Sequence, residues 1–130
     1  MDRIQVRTHQ RKEFVDITRE VTDCVRKARI GRGTCTVFVP HTTCGLTINE
    51  NADPSVTDDI LRTLCSLVPE SGRYRHAEGN SDAHIQSSLT GHSLHLIVEE
   101  SRLMLGTWQG IYLCEFDGPR NREVWVKCSE

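Results

Sequence analysis

The sequence predicts an α+β fold: a single domain with a mainly antiparallel, β-sandwich-like sheet and two to three helices. Three observations carry this reading. Helical periodicities fall between strand-like segments early in the chain. Strand-like segments then run together in the last third, separated by a turn rather than a helix. Finally, 130 residues suffice for one real core, and no repeat, low-complexity run or linker marks a second domain.

Taken in order, Ile4-Gln5-Val6-Arg7-Thr8 alternates like a half-buried strand. Val21, Cys24, Val25 and Ala28 then follow the i, i+3, i+4, i+7 spacing of one helical face, and Gly31 is placed to end that helix. Cys35 to Val39 is β-branched and aromatic, hence a strand stopped by Pro40, and Gly45 to Asn49 forms a second short one. The clearest helix start is Asp53 as cap with Pro54 at the first helical position; Val56, Ile60, Leu64 and Leu67 form its expected buried stripe, and Pro69 its exit. Glu70 to Ser81 is polar and glycine-bearing, a loop. A short helix follows over Asp82 to Leu89, closed by Gly91. Ser93 to Val98, Trp108 to Phe116 and Glu123 to Lys127 read as strands, with Asp117-Gly118-Pro119-Arg120 as a turn.

Composition narrows the function classes. Hydrophobic residues are 37% and charged residues 26%, as in ordinary globular domains. The apolar runs are short, Thr36-Val37-Phe38-Val39 for example, against the ~20 residues of a membrane helix, so no membrane partner is expected. Met1 to Val6 alternates in polarity without the apolar core of a signal peptide, and the expectation is a cytoplasmic protein. The six cysteines include no C-x-x-C pair, which favours reduced thiols over a disulfide framework. A net charge of −2, with both signs interspersed, excludes a large cationic field for nucleic acid.

The candidate chemistry lies between His41 and His84. His41 follows a strand, in Pro40-His41-Thr42-Thr43, where the chain changes direction. His76 and His84 bracket a segment that also holds Glu78, Asn80 and Asp82. Imidazole titrates near neutrality and is the commonest protein metal ligand, and a carboxylate beside it is a further ligand or a base. The structural alternative is that Glu78 and Asp82 only cap the short helix, since the spacing matches no strong zinc signature. Asn49, Glu50 and Asn51, just before Asp53, are either a turn leading into a helix cap or a polar cluster whose helix N-terminus attracts anions such as phosphate. Gly106-Thr107-Trp108-Gln109-Gly110 is too short for a P-loop; its glycines allow close backbone approach, with Trp108 in the core or over a ligand ring.

At these same residues the chain resembles the YjbQ family, also known as secondary thiamine-phosphate synthase. The matching segments are His41 to Pro54, Tyr74 to His84, Gly106 to Ile111 and Glu115 to Arg120, in the family's order across nearly the whole chain. Cys44 departs from the small alanine or serine expected there. The resemblance implies a compact sandwich-like α+β fold assembled as a homotrimer. It also implies a metal held through His41, His76 and His84 with Glu78 nearby. The ion would be zinc or another transition metal, with magnesium possible beside a diphosphate. The implied activity joins hydroxymethylpyrimidine diphosphate to thiazole phosphate and releases diphosphate. On that reading Glu78, Asp82, Asn49 and Glu50 are the catalytic candidates; Thr42, Asn51, Asn80, Trp108, Gln109 and Arg120 would bind a small phosphorylated metabolite. A hydrolase of such a metabolite using metal-bound water, or a trimer that only binds a metal or ligand, are the competing readings.

Overall fold

In the computed structural model, which describes residues 1–130, the chain runs β1 (Asp2–Arg7), β2 (Glu13–Asp16), α1 (Thr18–Ala28), β3 (Arg32–Phe38), β4 (Cys44–Glu50), α2 (Pro54–Leu67), α3 (Ser81–Thr90), β5 (Ser93–Glu99), β6 (Arg102–Met104), β7 (Gln109–Glu115) and β8 (Asn121–Ser129). Two sheets form, a five-stranded one ordered β1-β8-β3-β5-β6 and a three-stranded one ordered β2-β7-β4. Every pairing is antiparallel. The fold is the sandwich-like α+β arrangement the periodicities predict.

Alternation along the strands explains the layering. Val37, Leu96, Val98, Val124 and Val126 of the larger sheet meet Cys44, Leu46, Ile111 and Leu113 of the smaller one in a single core, which Val21 and Val25 of α1 complete. The other face of the smaller sheet offers Tyr112 and Cys114, continued by Phe116, and α2 and α3 cover it with Leu61, Leu64 and Ala83. As the middle strand, β7 is therefore buried on both faces, and its continuous apolar reading follows from that. The outer face of the larger sheet has no such cover, leaving Phe38, Ile97 and Met104 exposed.

Some local expectations are corrected. Arg29, not Gly31, closes α1 in the left-handed conformation, at φ 55°. Leu67 is 70% exposed, so the buried side of α2 turns on Leu61 and Leu64 rather than on a stripe ending at Leu67. The strands β2 and β6 are too short to announce themselves by periodicity. All six cysteines are free thiols; Cys35, Cys44 and Cys114 are buried.

The feature that positions the site is the docking of α3 on the start of β4. A Cβ on Gly45 would lie 2.1 Å from Thr90 Oγ1 and 2.7 Å from Gly91 O, so only glycine lets the helix end come this close. The Leu46 N–H donates to Gly91 O at 3.0 Å, and Ser87 Oγ donates to Thr42 O at 2.7 Å. The turn at residues 40–43 is thereby held against the flank of α3.

Candidate active site

That docking places His41 and Thr42 beside His84 of α3 and Glu78 and Asn80 of the preceding loop. Asp117, Arg120 and Arg122, from the β7–β8 turn and the start of β8, close the other side. The result is an open cleft of about 380 Å³ whose lining is polar apart from Pro40. His76 stands one residue layer away, its ring centroid 5.3 Å from that of His84 in an edge-on contact, and its Nε2 lies 3.9 Å from Glu78 Oε1.

Beneath the cleft the sandwich ends in charge rather than in hydrocarbon. Glu115 shares the inward face of β7 with Ile111 and Leu113, and Arg122 shares that of β8 with Val124 and Val126. Both are buried. Arg122 Nε donates to Glu115 Oε1 at 2.9 Å, and Nη2 donates to Thr43 Oγ1 at 2.9 Å and to Thr43 O at 3.2 Å. The remaining capacity of Glu115 is taken by Thr8 Oγ1 at 2.7 Å and the Asp117 N–H at 3.2 Å. A buried pair adds little net stability, but with each lone pair answered it fixes the Thr43 turn in one place. Above it, Asp117 accepts from Asn80 Nδ2 at 2.9 Å and from Arg120 Nη2 at 3.0 Å. Burial raises the Asp117 carboxyl, yet these bonds outweigh it and hold it below the usual carboxylate range.

His41 is tied differently. Its Nε2 accepts the Glu123 backbone N–H at 2.9 Å, which fixes the neutral ring with its proton on Nδ1. Burial, and then the Arg122 guanidinium, hold its pKa below 6.5.

Not all the expected site residues gather here. Asp82 is fully buried and turned away: Lys12 Nζ lies 2.6 Å from its Oδ2, and Arg11 Nη2 lies 3.3 Å from its Oδ1. Burial raises this carboxyl too, but Lys12 and then Arg11 bring it below the usual range. Its role is to clamp the segment before β2 to α3, not to face the cleft. Asn49, Glu50, Asn51, Trp108 and Gln109 lie at the opposite end of the β4–β7 ladder, which pairs Cys44 with Glu115 at one end and Glu50 with Gln109 at the other. At ~3.4 Å per residue the two ends are roughly 20 Å apart. There Asn51 Nδ2 reaches Asp16 Oδ2 at 3.3 Å and Gln109 Oε1 accepts the Gly106 N–H at 2.8 Å, both contacts that shape loops. Trp108 is 62% exposed, neither in the core nor over the cleft.

The matches to known proteins fall on the whole of this frame. The family model described as UPF0047 protein YjbQ-like matches residues 2–130. The chain belongs to the YjbQ-like UPF0047 family. Among its relatives, the UPF0047 protein YugU of Bacillus subtilis is 52% identical over 125 residues, covering 95% of each chain. A UPF0047 protein of Methanocaldococcus jannaschii is 50% identical over 123 residues, covering 95% of this chain and 89% of its own. The crystal structure of a YjbQ/UPF0047 family protein from Clostridium acetobutylicum superposes with a TM-score of 0.98 at 50% identity, over 99% of this chain and all of that one. A conserved hypothetical protein of Thermus thermophilus gives 0.89, also at 50% identity.

In this UPF0047 family member the expected three-histidine metal set is not assembled. No group of three or more His, Cys, Asp or Glu side chains is placed to hold an ion. His76 and His84 adjoin, but His41 would first have to release the Glu123 amide. The residues that pattern reading passed over, Thr43, Glu115, Asp117 and Arg122, did leave a signal. Glu115 and Arg122 stand at inward positions of strands whose other inward positions are apolar, where an ionic residue needs a partner.

Proposed function

We propose that the cleft is the active site of an enzyme acting on small phosphorylated metabolites, and that its reaction couples hydroxymethylpyrimidine diphosphate to thiazole phosphate. One observation carries this reading: a single polar cleft gathers the imidazoles of His41 and His84, the Glu78 carboxylate and the Arg120 guanidinium. In the coupling, the thiazole nitrogen lone pair attacks the pyrimidine methylene carbon. The carbon–oxygen bond breaks and its electron pair leaves with the diphosphate. Negative charge grows on the leaving group, and Arg120 and Asn80 are the groups positioned to meet it. The nitrogen carries no proton to remove, so Glu78 would act through its charge on the forming thiazolium. Magnesium, with its preference for oxygen ligands, would accompany the diphosphate. The resemblance also leads us to propose a homotrimer, a state supported by the uncovered Phe38, Ile97 and Met104 on the larger sheet.

A hydrolase reading is favoured by a different observation. Pro40 is the one apolar side chain in the cleft lining, which offers a ring little to rest on, and Glu78 lies beside an imidazole. Water would attack phosphorus and pass its proton to Glu78; the ester bond would break and the leaving alcohol would take a proton from His84. A trimer that only binds its ligand would do neither.

The test is product formation from the two purified precursors by wild type and His84→Ala, with magnesium and then with zinc. Thiamine phosphate from wild type and ~100-fold less from the variant, through loss of the His84 donor to the departing diphosphate, is the expected result. Equal, feeble product from both would sink the coupling. Glu78→Gln separates the enzyme readings: hydrolysis of a phosphate ester would fall ~100-fold, whereas coupling would be reduced without proton transfer being lost.

A further inference from the structure

We propose that the floor of the cleft is a phosphoryl-binding subsite in which the buried Arg122 guanidinium and the neutral His41 ring act as fixed hydrogen-bond donors. Arg122 is 4% exposed, yet it lines the cleft. Its Nε and Nη2 are taken up by Glu115 and Thr43. The N–H groups of its other terminal nitrogen, Nη1, have no acceptor in the chain. Nor is Nη1 sealed in, since the buried side-chain atoms without a partner are Arg11 Nε, Asn80 Oδ1 and Ser81 Oγ. A buried guanidinium whose one free nitrogen opens on a polar cleft is a donor in place for an anion, because charge-assisted bonds from Arg to phosphoryl oxygens are among the strong ones.

His41 supplies the second donor. Because its Nε2 accepts the Glu123 N–H, its proton is on Nδ1. Nδ1 has no partner in the chain and is not among the sealed atoms, and His41 lines the same cleft. One dipeptide fixes the two donors relative to each other. Arg122 holds the Thr43 end of the turn through Nη2, and the next residue, Glu123, holds His41 through its backbone. The donors are thus set before any ligand arrives, which lowers the ordering cost of binding. Burial, and then Arg122 itself, disfavour the imidazolium, so the ring stays a neutral donor.

The neighbouring acids do not take these donors. Glu115 is fully buried and outside the cleft lining, its oxygens answered by Thr8, Arg122 and the Asp117 N–H. Of the two carboxylates that do line the cleft, Asp117 is held by Asn80 and Arg120, and Glu78 stands on the exposed loop. The choice of a phosphoryl group over a carboxylate rests on the reading of the cleft as a site for small phosphorylated metabolites. On that reading the floor anchors one phosphoryl group and leaves Glu78, His84 and Arg120 to face the rest of the molecule.

The experiment is a titration of the full chain with inorganic phosphate at neutral pH, in EDTA and against chloride at matched ionic strength, followed by NMR of the His41 ring nitrogens. The free protein should show the Nδ1–H tautomer, and phosphate should shift Nδ1 saturably. An Nε2–H tautomer, a silent ring, or shifts that chloride reproduces overturn the subsite; acetate bound as tightly as phosphate overturns the phosphoryl assignment. An Asn side chain carries an N–H where Nδ1 stands, whereas Gln carries one only where Nε2 stands. His41→Asn should therefore bind phosphate within about threefold of wild type, and His41→Gln about tenfold more weakly. Equal binding by the two variants, or the opposite order, excludes the donor role. Arg122→Met with Glu115→Leu removes the guanidinium without stranding a buried charge, and should abolish saturable binding while the amide spectrum stays dispersed. Binding as in wild type would remove Arg122 from the subsite; should this double variant not fold, the His41 pair still decides. Phosphate bound at the floor with no product formed keeps the subsite and loses the coupling. Full product from His41→Gln and the double variant does the reverse.

Discussion

Glu115 and Arg122 sit where the alternation of their strands calls for hydrocarbon, and each is the other's partner there. Removing one partner leaves a buried ion alone. Arg122→Met should therefore cost about 3–5 kcal/mol in urea unfolding, while Arg122→Met with Glu115→Leu should recover most of it. If the double variant is no better than the single, the pair is not what the position depends on. His41 gives a second residue-scale test, through pH. Its pKa in the fold lies below the unfolded value of 6.5 because burial, and then Arg122, disfavour the imidazolium. The unfolded chain thus takes up the proton first, and stability falls as pH drops from 6.5. His41→Gln should flatten the stability curve as pH falls below 6.5; parallel curves for the two proteins would exclude this role.

At the scale of elements, the helix starts differ in kind. Asp53 caps α2 by accepting the Ser55 N–H at 2.9 Å, and Asp53→Ala should lower stability by about 1 kcal/mol, read as a drop in the thermal midpoint. A much smaller drop would mean that Pro54 and packing suffice. This start was legible because a cap and a first-turn proline act on adjacent residues. The start of α3 is legible to within one residue, Asp82 against Ser81, but its missing cap is not, because its Asn80 answers to Asp117, far along the chain. Asp82 misled for the same reason: its sequence neighbours are histidines, but its partners are Lys12 and Arg11. Likewise β4 and β7 are legible as strands in the sequence, yet their antiparallel register carries Asn49 to Asn51 and Trp108 to Gln109 away from the histidines.

For the whole molecule, the layering leaves one sheet face without cover, and the proposed homotrimer gives it an occupant. Light scattering should return three times the chain mass of 14.8 kDa. Ile97→Lys, at a position 61% exposed, should shift that mass toward the monomer if this face is the interface. A monomeric wild type would remove the trimer, and a trimeric variant would move the interface elsewhere. No helix is long and apolar enough to cross a membrane.

Fold class, most helices and strands, and the family were all readable along the chain, because periodicity, caps and ordered motifs are properties of neighbours in sequence. Thr42, Glu78, Asn80, His41, His84 and Arg120 were picked out in the same way and do line one cleft. What only packing decided is which polar residues face one another. Register sends one motif to the far end of a ladder, burial turns Asp82 to Lys12, and the Glu123 amide occupies His41. Ionic and hydrogen-bonding groups take the partners that space offers, and in this sandwich those partners come from distant strands.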